Sequence, residues 1–292
     1  AFTRAGLPTR QNERFKYTDF TALTAKSYAE PTVQVSDRVS SMLKTMPLAA
    51  NTTRLVLVNG VYRAEISTLV HANIEIVQQA SDLPLYDAEK YPFAALNAAL
   101  SSNGLTITIP AGLKDTVHFH VLNIADAGNT FIAQPQFSVM VGKESRIEWI
   151  EEYVSTQPNA YCMNVLTKVH LASDAQLSFY KLQTENAQAS HLATTFIHQD
   201  KNSQAKLTYF GFGASFARDD IVVELLAEGA ACFSAGYYRL RTAKQYIDYH
   251  LDVQHKAPRT TSEMLYKGVL DEPARAVFNG RLYVGKDAQK IL

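Results

Sequence analysis

The chain has 292 residues, 47% of them hydrophobic, and its 28 lysines and arginines balance its 28 aspartates and glutamates. This balance excludes the strong positive field typical of nucleic-acid binding, and no run of about 18 apolar residues is present to span a membrane. Cys162 and Cys232 lie too far apart for a CxxC redox pair or a cysteine-only metal site. We therefore expect a globular protein of the reducing cytoplasm, with neither nucleic acid nor a membrane as its partner.

Helix signals are confined to the first hundred residues. Ser36 can cap a first helix, and Pro92 fits the first turn of a second helix that stops at Asn103-Gly104. Residues 54–60, RLVLVNG, predict a strand that enters a turn between them. The apolar residues of the first helix have amphipathic spacing: Val39, Met42, Leu43 and Met46. The sequence thus predicts a mixed α/β region over residues 1–104.

From Leu105 onward, apolar runs alternate with short polar turns. Five runs predict strands: residues 105–109, 117–121, 137–141, 177–181 and 207–211. The turns repeat at spacings of 25 to 31 residues, ending at Ile147, Leu177, Leu207, Cys232 and Glu263. This period is typical of a β-solenoid, whereas the asparagine ladder of leucine-rich repeats and the closely spaced hairpins of a β-sandwich are missing. We predict a β-helix over residues 105–292.

Residues 245–292 predict three consecutive strands, separated by proline-containing turns at residues 256–259 and 271–274. In the first strand four apolar and four polar residues alternate, the pattern of a half-buried strand: Ile247, Tyr249, Leu251 and Val253 against Asp248, His250, Asp252 and Gln254. No segment between these strands is long enough for a crossover helix. They therefore belong to one continuous β structure.

Two histidines on one strand face, His118 and His120, have the HxH spacing that opens some metal sites. The glutamate expected four or five residues later is missing, because residues 121–125 contain no acidic side chain. We interpret both as strand histidines with hydrogen-bonding roles. A metal-binding protein is kept as an alternative hypothesis.

The acidic residues Glu148, Glu151 and Glu152 could supply the carboxylates of a β-helical carbohydrate-active enzyme, and so could the pair Asp219-Asp220. Such enzymes gather carboxylates from several coils, whereas the three glutamates are clustered in one predicted strand. We interpret the glutamates as a solvated face, and the aspartates as a turn and strand start.

Other catalytic motifs are incomplete. Residues 141–145 resemble the end of a phosphate-binding loop, but Phe137 occupies the position of its upstream glycine. Cys162 and Cys232 have small or apolar neighbours, typical of inert buried thiols. The residues alone therefore favour a binding or scaffold protein without a catalytic site, cofactor or metal of its own.

Residues 7–18, LPTRQNERFKYT, and residues 93–100, FAALNAAL, belong to a set of motifs that runs along nearly the whole chain. They resemble the LPTRxxExWKYT opening and the FxxLNxAF helix of the SufD branch of the SufB/SufD family of iron-sulfur cluster assembly proteins. Five further motifs resemble the family's core: residues 245–250, 255–258, 266–269, 277–280 and 288–290. The opening motif favours the SufD branch over the SufB branch.

The resemblance implies a right-handed parallel β-helix between an N-terminal helical region and a C-terminal helical segment. It further implies a non-catalytic subunit that pairs with SufB by joining β-helices, holds the ATPase SufC through its C-terminal segment, and supports cluster assembly and iron acquisition. The cluster itself would belong to the assembled complex. A homodimer is a further possibility when SufB is absent.

The chain departs from the family pattern at three places. Phe15 replaces a tryptophan, and residues 133–136 lack the usual His-Pro-Arg. The sequence stops shortly after residues 288–290, before the family's C-terminal helical segment. We therefore expect both ends to be cut points of a longer chain and the SufC-binding segment to be missing.

A solenoid that has no terminal cap must pair with a partner or be covered. The last strands are therefore the expected docking edge. We predict that its contact residues are Tyr266, Gly268, Phe278, Gly280 and Leu282.

Overall fold

A computed structural model describes residues 6–79, 87–101, 104–242 and 245–291. The fold is mainly β, as predicted, and forms a parallel β-solenoid of about six turns with few helices. None of the helices in these ranges is long and apolar enough to cross a membrane.

Helices occur only before residue 101 within the described ranges. The α-helices are α1 (Thr21–Thr24), α2 (Asp37–Thr45) and α3 (Pro92–Leu100), and short 3₁₀ helices cover Glu13–Phe15 and Ala64–Ile66. The strands are β1 (Thr52–Val58), β2 (Val61–Tyr62), β3 (Glu75–Gln78), β4 (Gly104–Ile109), β5 (Val117–Ala125), β6 (Phe131–Ala133), β7 (Gln136–Val141), β8 (Arg146–Ser155), β9 (Tyr161–Leu171), β10 (Gln176–Gln183), β11 (Ser190–Gln199), β12 (Gln204–Gly211), β13 (Phe216–Leu225), β14 (Ala231–Leu240), β15 (Tyr246–His255), β16 (Thr261–Leu270) and β17 (Arg275–Val284).

Both predicted helices are present. The Ser36 side chain caps α2 by accepting a hydrogen bond from the Val39 amide at 3.3 Å. Helix α3 has Pro92 in its first turn and ends at Leu100. The sequence predicted that this helix ends at Asn103-Gly104. Asn103 lies outside the described residues, and Gly104 already begins β4.

The strands form two parallel sheets whose members alternate along the chain. One sheet has the order β16-β14-β12-β10-β8-β5-β1-β2, and the other has the order β17-β15-β13-β11-β9-β7-β4-β3. Among the strands that the structure describes, only β2 and β3 pair antiparallel, at the end opposite to β16 and β17. Strand β1 pairs in parallel with β5, so part of the region before residue 104 extends the solenoid. The predicted division at residue 104 stays a prediction.

The predicted turn repeat is confirmed as a ladder of left-handed corners. Each corner holds a residue with a φ of 53° to 78°: Glu144, Asp174, Asn202, Gly229 and Arg259. The amide of each donates to a carbonyl of the next corner, as Asp174 does to Lys201 at 2.9 Å and Asn202 does to Glu228 at 3.0 Å. This ladder satisfies backbone groups that the strands leave unpaired, and it fixes the period of the coils.

The prediction that β15 is half-buried is wrong, because both of its faces are buried. The polar residues Asp248, His250 and Asp252 are at most 7% exposed. An N-terminal segment, defined here as residues 6–30, covers them: Thr18 donates to the Asp248 carboxylate at 2.5 Å, and Arg14 lies 3.9 Å from that of Asp252. Alternation in sequence therefore reflects pairing with this segment rather than exposure to solvent.

One corner requires glycine for steric reasons. A Cβ added to Gly213 would lie 2.3 Å from the backbone N and O of Glu185 in the preceding coil. We expect Gly213→Ala to lower the free energy of unfolding by about 1–3 kcal/mol, because the backbone of two coils must separate. Chemical denaturation measures the change.

Gly128→Ala is the matched control, because an added Cβ there meets nothing within 4 Å. We expect it to stay within about 0.5 kcal/mol of the wild type. Equal losses in the two variants would contradict the assignment of Gly213 to a close contact between coils.

Candidate docking edge

The strands β16 and β17 end the two sheets at the same end of the solenoid. Within the described ranges, β16 pairs only with β14, and β17 pairs only with β15. Each therefore presents one backbone edge whose amides and carbonyls have no strand partner. Such an edge is a template for adding a strand from another chain.

Apolar side chains accompany this open edge. Seven large hydrophobic residues of β16 and β17 are between 41% and 55% exposed: Leu265, Val269, Leu270, Phe278, Leu282, Tyr283 and Val284. Four of them continue the interior face, which earlier coils bury against the next coil, as Val253 of β15 lies under Leu282 of β17: Leu270, Phe278, Leu282 and Val284. Leu265, Val269 and Tyr283 lie on the outer faces of the same strands. The interior of the solenoid is thus exposed where the stack of strands stops.

The five predicted docking residues all lie in this last coil. Tyr266 stacks on Phe278 with ring centroids 4.4 Å apart and an interplanar angle of 28°. Gly268, Gly280 and Leu282 are exposed beside them. The structure thus brings the set together, while its contact with a partner stays a prediction.

Two pairs of glycine and tyrosine support this coil, each with the glycine on one strand and the tyrosine ring packed over it from the adjacent strand. Sequence reasoning did not predict them. A Cβ on Gly236 would lie 2.3 Å from the Tyr266 ring, and a Cβ on Gly268 would lie 2.0 Å from the ring of Tyr238. The register pairs Gly236 with Tyr266 and Tyr238 with Gly268 on adjacent strands. Glycines facing tyrosines about 30 residues away were the available signal. They show that the end coil is packed in its interior before any partner binds.

An ion-pair cluster holds the N-terminal segment on the outer face next to the edge. The fully buried Arg218 donates to Asp220 at 3.0 Å and to Asp248 at 2.5 Å. Arg14 and Thr18 of the N-terminal segment bind the same two carboxylates. Burial acts to raise the pKa of Asp220, but Arg218 and Arg14 hold it below its usual value.

The same contacts reach the edge strand. The Asp252 carboxylate is buried and lies 3.9 Å from Arg14, 3.7 Å from Lys90 and 3.5 Å from Arg281 of β17. The docking edge and the N-terminal segment therefore share one set of charges. A movement of one changes the electrostatic environment of the other.

The pair Asp219-Asp220 does not form a catalytic dyad. The two side chains lie on opposite faces of β13, where Asp219 pairs with Lys181 inside the solenoid and Asp220 pairs with Arg218 outside. Their interpretation as a turn and strand start is wrong, because β13 begins at Phe216. Both carboxylates lie inside a strand that is buried on its two faces.

Interpreting the three glutamates as a solvated face is wrong for Glu151. Glu151 is 1% exposed inside the solenoid, where it accepts hydrogen bonds from Trp149 at 2.9 Å, Tyr153 at 2.6 Å and Thr167 at 2.8 Å. Three donors compensate for the loss of water around one buried carboxylate. Glu148 and Glu152 point outward instead.

Each histidine of the HxH pair has a carboxylate partner. His118 lies 3.0 Å from Glu148 and His120 lies 2.9 Å from Glu152, while Arg54 donates to the second ring nitrogen of His120 at 3.1 Å. No group of three or more His, Cys, Asp or Glu side chains is arranged to hold a metal ion in the part of the chain that the structure describes.

The two cysteines are free and buried. Burial raises the pKa of the Cys162 thiol and of the Cys232 thiol to about 12. Both are therefore protonated at neutral pH, which makes them poor nucleophiles and poor metal ligands.

Removing a buried charge should loosen the N-terminal segment. We expect Asp248→Asn to lower the free energy of unfolding by about 1.5–3 kcal/mol, because the buried Arg218 loses one of its two carboxylate partners and keeps only Asp220, which Arg14 shares. Limited proteolysis should then cleave the N-terminal segment faster. Lys143→Gln, which breaks an exposed ion pair with Glu144, is the control and should change stability by less than about 1 kcal/mol. Equal protease resistance of both variants would contradict the anchoring role.

Glu224 should contribute to stability in a pH-dependent way. Its hydrogen bond with His198 and its pairing with Lys256 lower the pKa of Glu224 to about 2, although burial opposes this. The unfolded chain therefore takes up the proton first, so the stabilisation is complete above pH 4.5 and is lost as the pH falls toward 2. We expect Glu224→Gln to flatten the fall of the unfolding free energy in this window, measured by urea titrations at each pH.

The control for this pH series is Glu263→Gln. Glu263 is exposed and forms no ion pair with any residue that the structure describes. The unfolding free energy of Glu263→Gln should change with pH as that of the wild type does. If the unfolding free energy of Glu224→Gln also falls as steeply as that of the wild type, Glu224 is not the source of the pH dependence.

The chain is similar to proteins of one iron-sulfur assembly system. Residues 123–292 match the family model described as "SUF system FeS cluster assembly, SufBD core domain", which is more than half of the chain. An iron-sulfur cluster assembly SufBD family protein of Synechocystis is 26% identical, over 97% of this chain and 67% of the relative. Iron-sulfur cluster assembly protein SufD of Escherichia coli is 24% identical, over 98% of this chain and 68% of the relative. The chain thus spans about two thirds of the length of these relatives.

Proposed function

Because the chain belongs to the SufBD core family of the SUF iron-sulfur cluster assembly system, we propose that it is a non-catalytic scaffold subunit that joins its solenoid to that of a SufB partner. The observation that carries this proposal is the pair of unpaired edge strands, β16 and β17, with their exposed apolar side chains. A second solenoid end would continue both sheets and cover these side chains together.

Other parts of the proposal rest on the family resemblance alone. SufC would bind a C-terminal helical segment of the kind found in that family, rather than the solenoid itself. A cluster would form on the assembled complex in the cytoplasm, and this subunit would support its assembly and the acquisition of iron. A homodimer through the same edge is the expected state when SufB is absent.

The alternative of a carbohydrate-active enzyme has no support from the geometry. Such an enzyme needs two carboxylates facing one groove. Glu151 lies inside the solenoid. Glu148 and Glu152 share the outer face but lie four residues apart on β8, about 13 Å, and each is paired with a histidine. The two aspartates of β13 lie on opposite faces. We therefore do not propose this activity.

A charge at the docking edge should prevent pairing. We expect Leu282→Asp to weaken association with SufB by about tenfold or more, because a carboxylate would be buried among apolar side chains. Light scattering of the mixed, purified proteins measures the complex.

Leu69→Asp is the control, since Leu69 is also exposed, at 58%, but precedes β3 at the opposite end. It should pair like the wild type. If the unmodified chain and SufB stay separate at micromolar concentration, the scaffold proposal fails.

A further inference from the structure

A pocket of about 290 Å³ lies between the N-terminal segment and the start of β17. Its walls combine basic side chains with aromatic rings and two small apolar residues: Arg10, Lys16, Tyr17, Tyr246, Arg275, Ala276 and Val277. It adjoins the docking edge, because three of these residues belong to β17. A group entering the pocket would thus lie beside any chain that extends the sheet.

Three cations and no carboxylate line this pocket. The chain as a whole carries no net charge, so the pocket is a local excess of positive charge. Lys16 and Arg275 form no ion pair with any residue in the described ranges, and Arg10 has only the exposed Asp19 at 3.0 Å. An exposed pair of this kind contributes little energy, so Arg10 can exchange its partner easily.

Nearby carboxylates do not neutralise the pocket. Asp248, below Tyr246, is buried and already pairs with Arg218 and His250. Asp252 is surrounded by the cations of the outer cluster. Both carboxylates are thus already engaged by other cations.

The aromatic part of the wall is fixed in place. The Tyr246 hydroxyl donates to the backbone carbonyl of Tyr17 at 3.0 Å, and its ring stacks on Phe216 with centroids 5.5 Å apart. Burial raises the pKa of Tyr246 to about 12, so the hydroxyl stays a neutral donor. The Tyr17 ring is 65% exposed, with the Lys16 ammonium 5.6 Å from its centroid. The pocket is therefore preformed on one side and open on the other.

We propose that this pocket binds an acidic segment of the partner that docks on the open solenoid end, with aspartate or glutamate side chains meeting Lys16, Arg275 and Arg10. The proposal rests on the scaffold function proposed above and specifies the chemistry of the partner. Charge complementarity carries it, together with the shared strand β17, which places the pocket at the rim of the docking edge. Charged groups at the rim of an interface accelerate encounter and fix its register.

The first test is the association rate with SufB for the double variant Lys16→Glu/Arg275→Glu. We expect the rate constant to fall by about tenfold at low salt, and its dependence on salt concentration to become shallower. Lys206→Glu is the matched control, because Lys206 is an exposed lysine of β12 on the other sheet. It should associate like the wild type, and thermal unfolding should show all three proteins folded.

The second test needs no partner. A fluorescently labelled hexaglutamate peptide should bind the purified chain, and the double variant should bind it about tenfold more weakly or not at all. Hexaglutamine serves as the uncharged probe and inorganic phosphate as the small-anion competitor. If the double variant binds hexaglutamate as tightly as the wild type does, the assignment of this pocket is overturned.

The two tests separate the two proposals. If the wild type pairs with SufB and the double variant pairs equally fast, the pocket proposal fails and the scaffold proposal stands. If the wild type does not pair with SufB, the scaffold proposal fails, and hexaglutamate binding decides the pocket by itself. Displacement of hexaglutamate by an equal concentration of phosphate would overturn the acidic segment in favour of a small anion.

Discussion

The in-register parallel stacking of coils is the constraint on which the rest of this structure depends. From β8 to β15, each strand pairs with the strand one coil earlier and with the strand one coil later, residue opposite residue. A parallel stack has no hairpin that could close it, so its last strands keep an unpaired edge. The left-handed corners, the glycine contacts between coils and the exposed apolar end all follow from this single geometry.

The buried charges Glu151, Asp219 and Arg218, on the inner and outer faces of the solenoid strands, are tolerated because each of them has partners. Inside, Glu151 is surrounded by donors and Asp219 pairs with Lys181. Outside, Arg218 joins two strands to the N-terminal segment. Removing one member of such a set is costly, while the intact set contributes more to defining one arrangement than to total stability. The outer set therefore determines where the N-terminal segment binds.

The sequence alone was sufficient to predict the repeat period of the coils, but not which faces of the strands are buried. The corners near Glu144 and Asp174 repeat visibly, so the solenoid could be predicted. Strands β9, β11 and β13 had no alternation to detect, because both of their faces are buried. The burial of Asp248 was unpredictable for another reason: its partner Thr18 is 230 residues away. Local patterns contain no information about such a contact.

One part of the candidate site could likewise be predicted from the sequence, and another part could not. The end coil could be identified from β16 and β17 without a helix between them, and the five residues named from sequence do meet there. The pocket could not, because Lys16 and Arg275 come together only when the N-terminal segment lies on the last strands. A single sequence shows each of them as an ordinary exposed cation.

The long separation between the N-terminal segment and its binding surface has a consequence during synthesis. Thr18 leaves the ribosome first, whereas Asp248 is made 230 residues later. At typical translation rates this delay is about 10–50 s. During this interval Phe15 and Phe20 have no completed surface on which to pack. The N-terminal segment thus cannot complete its packing until β15 has been made, and until then its aromatic side chains lack their final contacts.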